Sequence, residues 1–253
     1  MSKSPIRRFL DANVRVSSRL DARLNPDHGR VERIFVETVR REMNDLHEGA
    51  TIADLGAGHR SGFADYLPKD RGLKLVGVDI SAEELAQNQD VTEGRIANIT
   101  EEMPFVDGEV DLVLSHCLLE HVDGVPDAVR NMSRALAPGG SALHYVACRF
   151  STFGIAARLL PFGFLLRLLH WVKPETKGWV EFDVFYDHCY PAAIERLFYD
   201  AGFRRVEVMV EYSSTEFYFA FLPVFLLVAI YERLARKMDA RTLAAHMLVY
   251  AQR

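Results

Sequence analysis

The chain has 253 residues, 49% of them hydrophobic and 26% charged, a balance that supports a full core and excludes wholesale disorder. Its net charge of −5 argues against a nucleic-acid binder, whose phosphate affinity comes from clustered Lys and Arg. Cys117, Cys148 and Cys189 stand too far apart for a CxxC or Cys/His ligand set, so neither a zinc site nor a disulfide framework is expected and no metal is assigned.

Taken in chain order, MSKSPIRRFLDANVRVSSRL lacks the apolar segment of a signal peptide, which makes a reducing, cytoplasmic location the default expectation. Residues 1–47 mix charged and apolar residues at helical spacing, as in GRVERIFVETVRREM, and NPDHG around Pro26 reads as a turn between two helices. From residue 51, TIADL reads as a buried strand, SGFADYL as a helix, LKLVGVDI as a strand and SAEELAQNQ as a helix capped by Ser81. GRIANI is a short strand, EVDLVLSH a stronger one, VPDAVRNMSRALA a helix ended by PGG, and SALHYVACRF the next strand. This alternation predicts an α/β, doubly wound, mostly parallel sheet with ligands at the carboxyl ends of its strands.

After residue 150 the rhythm breaks. Residues 151–172 are apolar with spaced arginines, and KPETKGWVEFDVFYDHCY reads as a loop. PAAIERLFYDAGF is a helix from Pro191 to Gly202, and RRVEVMVEY is a strand. FYFAFLPVFLLVAIY, residues 217–231, has no charge, but it is shorter than the roughly 20 residues that span a bilayer and holds Pro223. It reads as a buried or interfacial helix. AAHMLVYAQR closes the chain as a strand, and without repeats or linkers residues 1–253 form one domain.

The stretch DLGAGHRSG carries the first chemistry. A strand, a glycine turn and a helix put backbone N–H groups and a positive helix end beside a ligand. Asp79, closing VGVDIS, can accept hydrogen bonds from both ribose hydroxyls of an adenosine. A nicotinamide-dependent oxidoreductase is the rival reading, but GAGHRSG has one residue too many before its last glycine. Asp54, just before the turn, would repel a pyrophosphate and suits an ammonium. Arg60 stands where a third glycine is usual. Either Gly62 lets the turn widen, or Arg60 points away and pairs with an acid.

The blocks DLGAG, VGVDIS, MPFVDGEVDLVLS, LLEHV and ALAPGG, in this order and spacing, resemble those of the class I S-adenosylmethionine-dependent methyltransferases, in the small-molecule branch called type 11. The resemblance implies a Rossmann-like, seven-stranded sheet with an antiparallel last strand. It also implies a helical cap over 1–47, a cofactor-binding core over 50–148, and substrate-lid insertions over 151–190 and 213–240. S-Adenosylmethionine would be the cofactor and S-adenosylhomocysteine the product. Asp54 and Gly56 would hold its amino-acid moiety, with Ala57 and Gly58 letting the backbone approach, and Asp79 would bind the ribose with Ile80 next to it. Asn98 stands where the family has an acid and would meet the adenine amino group through its carbonyl oxygen. Ile99 would pack on the adenine or offer its N–H, and Ser115 would lie under the methionine part with His116 beside it.

Methyl transfer from a sulfonium is an in-line displacement, so the protein supplies alignment and water exclusion. A base is needed only for a protonated acceptor, and His116, His121 and His188 are the candidates. His144, inside a strand, reads as a core histidine; Tyr186 and Tyr190 could shape the pocket. The apolar segments 153–172 and 217–231 are edged by Arg158, Arg167, Lys173, Arg233, Arg236 and Lys237. They lead to the expectation of a small, hydrophobic or lipid-linked acceptor and of peripheral contact with an anionic membrane. A non-catalytic cofactor-binding or membrane-associated protein would share the loop and lack turnover.

Overall fold

A computed structural model of the chain describes residues 4–25, 28–159 and 183–253, together with Gly163, Arg167, His170 and Trp171. The turn read around Pro26, much of the 153–172 segment and Lys173 lie outside the described residues. Two amphipathic helices, α1 (Pro5–Leu24) and α2 (Arg30–Asp45), open the structure. Ser4 caps α1, its Oγ accepting from Arg7 N, and Pro5 fits the first helical position, where no N–H is needed.

Seven strands then build one sheet in the order β3-β2-β1-β4-β5-β7-β6. They are β1 (Thr51–Leu55), β2 (Lys74–Asp79), β3 (Glu93–Ile96), β4 (Val110–His116), β5 (Leu136–Ala147), β6 (Arg205–Glu211) and β7 (His246–Gln252). The first five run parallel, and β7 is antiparallel to both β5 and β6. The expected Rossmann-like sheet with its antiparallel last strand is what forms. The central strands β1, β2 and β4 are near-continuous apolar runs because helices cover both faces, whereas the edge strands β3 and β6 are more exposed. On one face Ile52, Leu112, Leu114 and Leu143 pack against Phe35, Val39 and Met43 of α2. On the other, Ala53, Val113 and Val146 pack against α4 (Val125–Ala135) and α6 (Pro191–Asp200). The remaining described helices are α3 (Ala82–Gln87), α5 (Thr152–Leu159) and α7 (Leu222–Lys237).

Three local expectations need correction. SGFADYL does not form an α-helix; it makes only a 3-10 turn over Ala64–Tyr66. The segment is short, Pro68 follows it, and one turn fixes several dihedrals for little hydrogen bonding. β3 stops at Ile96, before Asn98 and Ile99, and β5 already begins at Leu136, taking in the PGG that was expected to separate helix from strand. The cap of α3 is as read: Ser81 Oγ accepts from Glu84 N at 3.2 Å.

Candidate active site

The site is built where β1, β2 and β4 end. After Leu55 the chain turns through Gly56 (φ +72°) and Gly58 (φ +49°). The amides of Gly56 and Ala57 both donate to Val78 O, at 2.8 and 3.2 Å, so the loop folds back onto β2. Gly58 N donates to Asp79 Oδ2 at 2.9 Å, and Ser81 N to Asp79 Oδ1 at 2.8 Å. Each carboxylate oxygen keeps a second lone pair for a ligand hydroxyl. From the other side Asn88 Nδ2 donates to the carbonyls of Ala57 (3.1 Å) and Gly58 (3.0 Å). The loop is thus shaped by the end of β2 and by Asn88 beyond α3, and a 3-10 turn, not an α-helix, follows it before β2.

Asp54 is buried under this loop and accepts from Ser61 Oγ at 2.6 Å. Burial pushes its pKa up to about 7, against the pull of that hydrogen bond. Among the described residues no Lys or Arg pairs with this carboxyl, and it would ionise fully beside a bound cation. Arg60 turns outward, 78% exposed, with Nε 3.8 Å from Asp90 Oδ2, an acceptor that also takes Ser61 N at 3.1 Å. Of the two readings of Arg60, the outward one with an acidic partner is what the structure has.

Ile80, 68% exposed, leaves an apolar surface next to Asp79. Asn98 is spent locally: its Oδ1 accepts from Thr100 N (3.2 Å) and Thr100 Oγ1 (2.9 Å), and its Nδ2 donates to Glu101 Oε1 (3.0 Å). The carbonyl oxygen expected to meet an adenine amino group is instead an Asx-type clasp on its own turn. Ile99 is buried in the core that α4 covers, and its carbonyl accepts from Asn131 Nδ2 at 3.0 Å.

Ser115 and His116 are neighbours on β4 and therefore point to opposite faces. Ser115 is fully buried, with Oγ 2.8 Å from His144 Nδ1, so its side chain serves the core. His144 is the core histidine that was expected; burial pushes its pKa down to about 3 and keeps it neutral. His116 lies on the α2 side, half exposed, with Nε2 3.4 Å from Glu32 Oε1. Its ring stacks on Tyr145 at 5.0 Å, and Tyr145 stacks on His246 at 5.3 Å. Glu32, whose carboxyl is held below the usual range first by the bond to His116, escapes a sequence reading because it comes from the first turn of a distant helix.

The other two histidines are held by different partners. His121 ends a 3-10 turn, Leu119–His121, with Nδ1 2.9 Å from the carbonyl of Asp183. His188 Nδ1 lies 2.6 Å from Asp187 Oδ1. Between them Glu120 is buried, and its backbone carbonyl accepts from Phe185 N (2.9 Å) and Tyr186 N (3.0 Å). Cys117, Tyr186 and His188 all carry left-handed backbone, with φ of 51°, 50° and 53°. Strain of this kind gathers at functional ends of folds.

Two aromatic pairs, together called the aromatic layer, tie the segment after β5 to Tyr190 and to the segment after β6. Phe150 packs on Tyr190 at 5.6 Å, and Phe153 stacks on Phe217 at 5.0 Å. The segment after β6 is pinned to the N-terminal helices through His28, whose Nδ1 is 2.9 Å from Asp21 Oδ2 and whose Nε2 is 3.0 Å from Glu216 Oε2. Those bonds raise the pKa of His28 to about 10. Thr215 Oγ1 also donates to Asp21 Oδ1 at 2.6 Å, which ties α1 to the same segment.

Comparison with known proteins gives this geometry a context. The family described as "methyltransferase domain" matches residues 53–144. A malonyl-[acyl-carrier protein] O-methyltransferase from Enterobacter lignolyticus (strain SCF1) is 31% identical over 93 residues, which is 36% of this chain and 36% of that protein. The chain's match thus spans about a third of that relative. Among solved structures, geranyl diphosphate C-methyltransferase from Streptomyces coelicolor A3(2), in complex with Mg2+, geranyl-S-thiolodiphosphate and S-adenosyl-L-homocysteine, aligns with a TM-score of 0.56 at 15% identity. That alignment covers 88% of this chain and 77% of the other. Phosphoethanolamine N-methyltransferase 2 from Haemonchus contortus, in complex with S-adenosyl-L-methionine, aligns at 0.53 and 16% identity over 86% of this chain and 52% of its own. At such identities the likeness is one of fold, a Rossmann-like sheet shared with those methyltransferases.

Proposed function

We propose that this chain, which carries a class I methyltransferase domain, transfers a methyl group from S-adenosylmethionine to a small hydrophobic or lipid-linked acceptor. The observation that supports it most is Asp54, a buried carboxyl at the end of β1, directly beneath a glycine turn, with no Lys or Arg paired to it among the described residues. The ammonium of an amino-acid-bearing cofactor supplies the missing charge. The residues fit that group elsewhere too. Asp79 has lone pairs left for two ribose hydroxyls, Ile80 offers an apolar surface for a base, and Gly58 has open space where a Cβ would stand. Asn98 and Ser115 are engaged with Thr100 and His144, so this reading gives them structural roles.

When bound, the cofactor supplies an activated methyl on sulfur. What remains for the protein is alignment, exclusion of water and, for a hydroxyl or ammonium acceptor, removal of a proton. His116 is the base this reading favours. It stands at the end of β4, next to the strand that carries Asp54, and Glu32 on Nε2 leaves Nδ1 as the accepting nitrogen. His121 and His188, bonded to Asp183 and Asp187, are assigned to the wall that carries the aromatic layer. That layer, with Phe150, Phe153, Phe217 and Tyr190, is what supports an apolar acceptor. The comparison protein from Streptomyces coelicolor, which binds a geranyl diphosphate analogue, is consistent with it.

The test is a screen of isoprenoid, quinone-like and acyl-chain acceptors against polar ones, read by release of S-adenosylhomocysteine. Turnover confined to apolar acceptors and lost in His116→Asn is expected. Turnover of polar acceptors alone would overturn the acceptor class.

A further inference from the structure

From Leu222 to Ile230, α7 is apolar on every side, and its charges follow in the last turns. Its inner residues Phe225, Val228, Ala229 and Ala235 are buried. Its outer row, Val224, Leu227, Ile230 and Leu234, is 44%, 69%, 58% and 53% exposed. A helix with apolar residues all round normally lies wholly inside something, and a stripe of this length is rarely left to water. α1 packs along α7 and repeats the pattern: Ile6 and Phe9 are 61% and 62% exposed, and Val16 is 43% exposed. At about 100° per residue, Phe9 and Val16 share one face, while Arg8, Arg15 and Arg19 form the neighbouring row.

The charge on these two helices is opposite to that of the chain. Together they hold eight basic and three acidic residues, and two of those acids, Asp21 and Glu232, are buried. The rest of the chain carries ten more acidic than basic residues. Among the described residues no helix is long and apolar enough to cross a membrane.

We infer that the α1–α7 face docks on the surface of an anionic lipid bilayer, with its apolar rows in the headgroup–acyl boundary and its arginines over the lipid charges. An apolar stripe edged by basic residues is the pattern of an interfacial helix, and the basic row matches anionic headgroups. A second copy of the chain fits less well, because a two-fold contact on this face brings like arginine rows together. α7 follows Thr215–Tyr218, whose Phe217 belongs to the aromatic layer of the site, so docking holds that layer near the lipid. The link to acceptor delivery rests on the proposed function; the docking itself is read without turnover.

The test is sedimentation of the full chain with vesicles of phosphatidylcholine alone and with vesicles containing about one-third phosphatidylglycerol. Binding to the anionic vesicles, at least about tenfold weaker on the neutral ones and weakened by salt, is expected. The double variant Leu227→Gln/Ile230→Gln should lose binding about tenfold or more, and Arg15→Gln/Arg19→Gln about fivefold per charge. All four positions are exposed, so both variants should keep the thermal stability and the S-adenosylhomocysteine response of the parent. No pelleting, or equal pelleting on both vesicles, overturns the docking. So does a dimer in light scattering that Leu227→Gln/Ile230→Gln dissociates. A parent protein that pellets with anionic vesicles but shows no S-adenosylhomocysteine response would count against the proposed function and leave the docking standing.

Discussion

Replacing Asp54 by Asn should stabilise the unliganded protein at neutral pH while weakening its hold on a cationic ligand. Asp54 is 3% exposed, and burial lifts its pKa from 3.8 to about 7. The folded value lies above the unfolded one, so the stability linked to this carboxyl is full below about pH 4 and is lost as pH rises through about 7. Between about pH 5 and about pH 8 that loss covers roughly two units at 1.36 kcal/mol each, on the order of 3 kcal/mol. Asn keeps an oxygen for the 2.6 Å bond from Ser61 Oγ and carries no charge to desolvate. Urea unfolding at the two pH values should therefore show the parent losing about 2–3 kcal/mol more than Asp54→Asn. Parallel pH profiles for the two proteins would refute the reasoning. So would a variant that is less stable at both values. In calorimetry the same variant should bind S-adenosylmethionine at least about tenfold more weakly, because an amide cannot neutralise an ammonium.

Other substitutions probe separate parts of the site. Ligand binding that ionises Asp54 should weaken by up to about tenfold per unit as pH falls below about 7, and calorimetry in buffers of different ionisation enthalpy should detect the released proton. Gly56→Ala places a Cβ 2.8 Å from Leu118 Cδ1 on backbone at φ +72°. It should cost about 1–3 kcal/mol in urea unfolding and lower cofactor affinity as well. His28→Gln removes the cation between Asp21 and Glu216, with an expected loss on the order of 2 kcal/mol at neutral pH. Because the folded pKa of His28 is raised to about 10, the parent's advantage should shrink as pH rises through that value, as thermal unfolding across the range would record. Glu32→Gln and His116→Asn should lower kcat by about 10²–10⁴ on a protonated acceptor, with S-adenosylhomocysteine affinity unchanged.

The sheet was legible because its order follows from local patterning. Apolar runs such as TIADL and EVDLVLSH sit between capped helices, and the family-like blocks lie on the β1, β2 and β4 ends. The glycine turn, Asp54 and Asp79 could be placed on the same grounds. What could not be read depends on contacts between distant segments. Glu32 meets His116 from a helix some 80 residues earlier, Asn88 closes the loop from beyond α3, and His28 joins Asp21 to Glu216 across the fold. Asn98 and Ser115 show the converse. Their positions in the pattern were clear, but strand alternation aimed Ser115 at His144, and a short polar side chain bonded its own turn before any ligand. α1 was read as part of a cap, and its exposed apolar row beside α7 emerges only when the two helices are seen side by side.

The central claim is that the turn after β1 and the acid after β2 hold an amino-acid-bearing adenosine cofactor. It is tested most directly by isothermal titration of the protein with S-adenosylhomocysteine, S-adenosylmethionine, NAD and NADP, repeated on Asp79→Ala. Saturable one-site binding of the two sulfur cofactors, no heat from the nicotinamide ones, and loss of most affinity in Asp79→Ala is the expected result. Binding of NAD or NADP in their place, or S-adenosylhomocysteine affinity unchanged in Asp79→Ala, would contradict it.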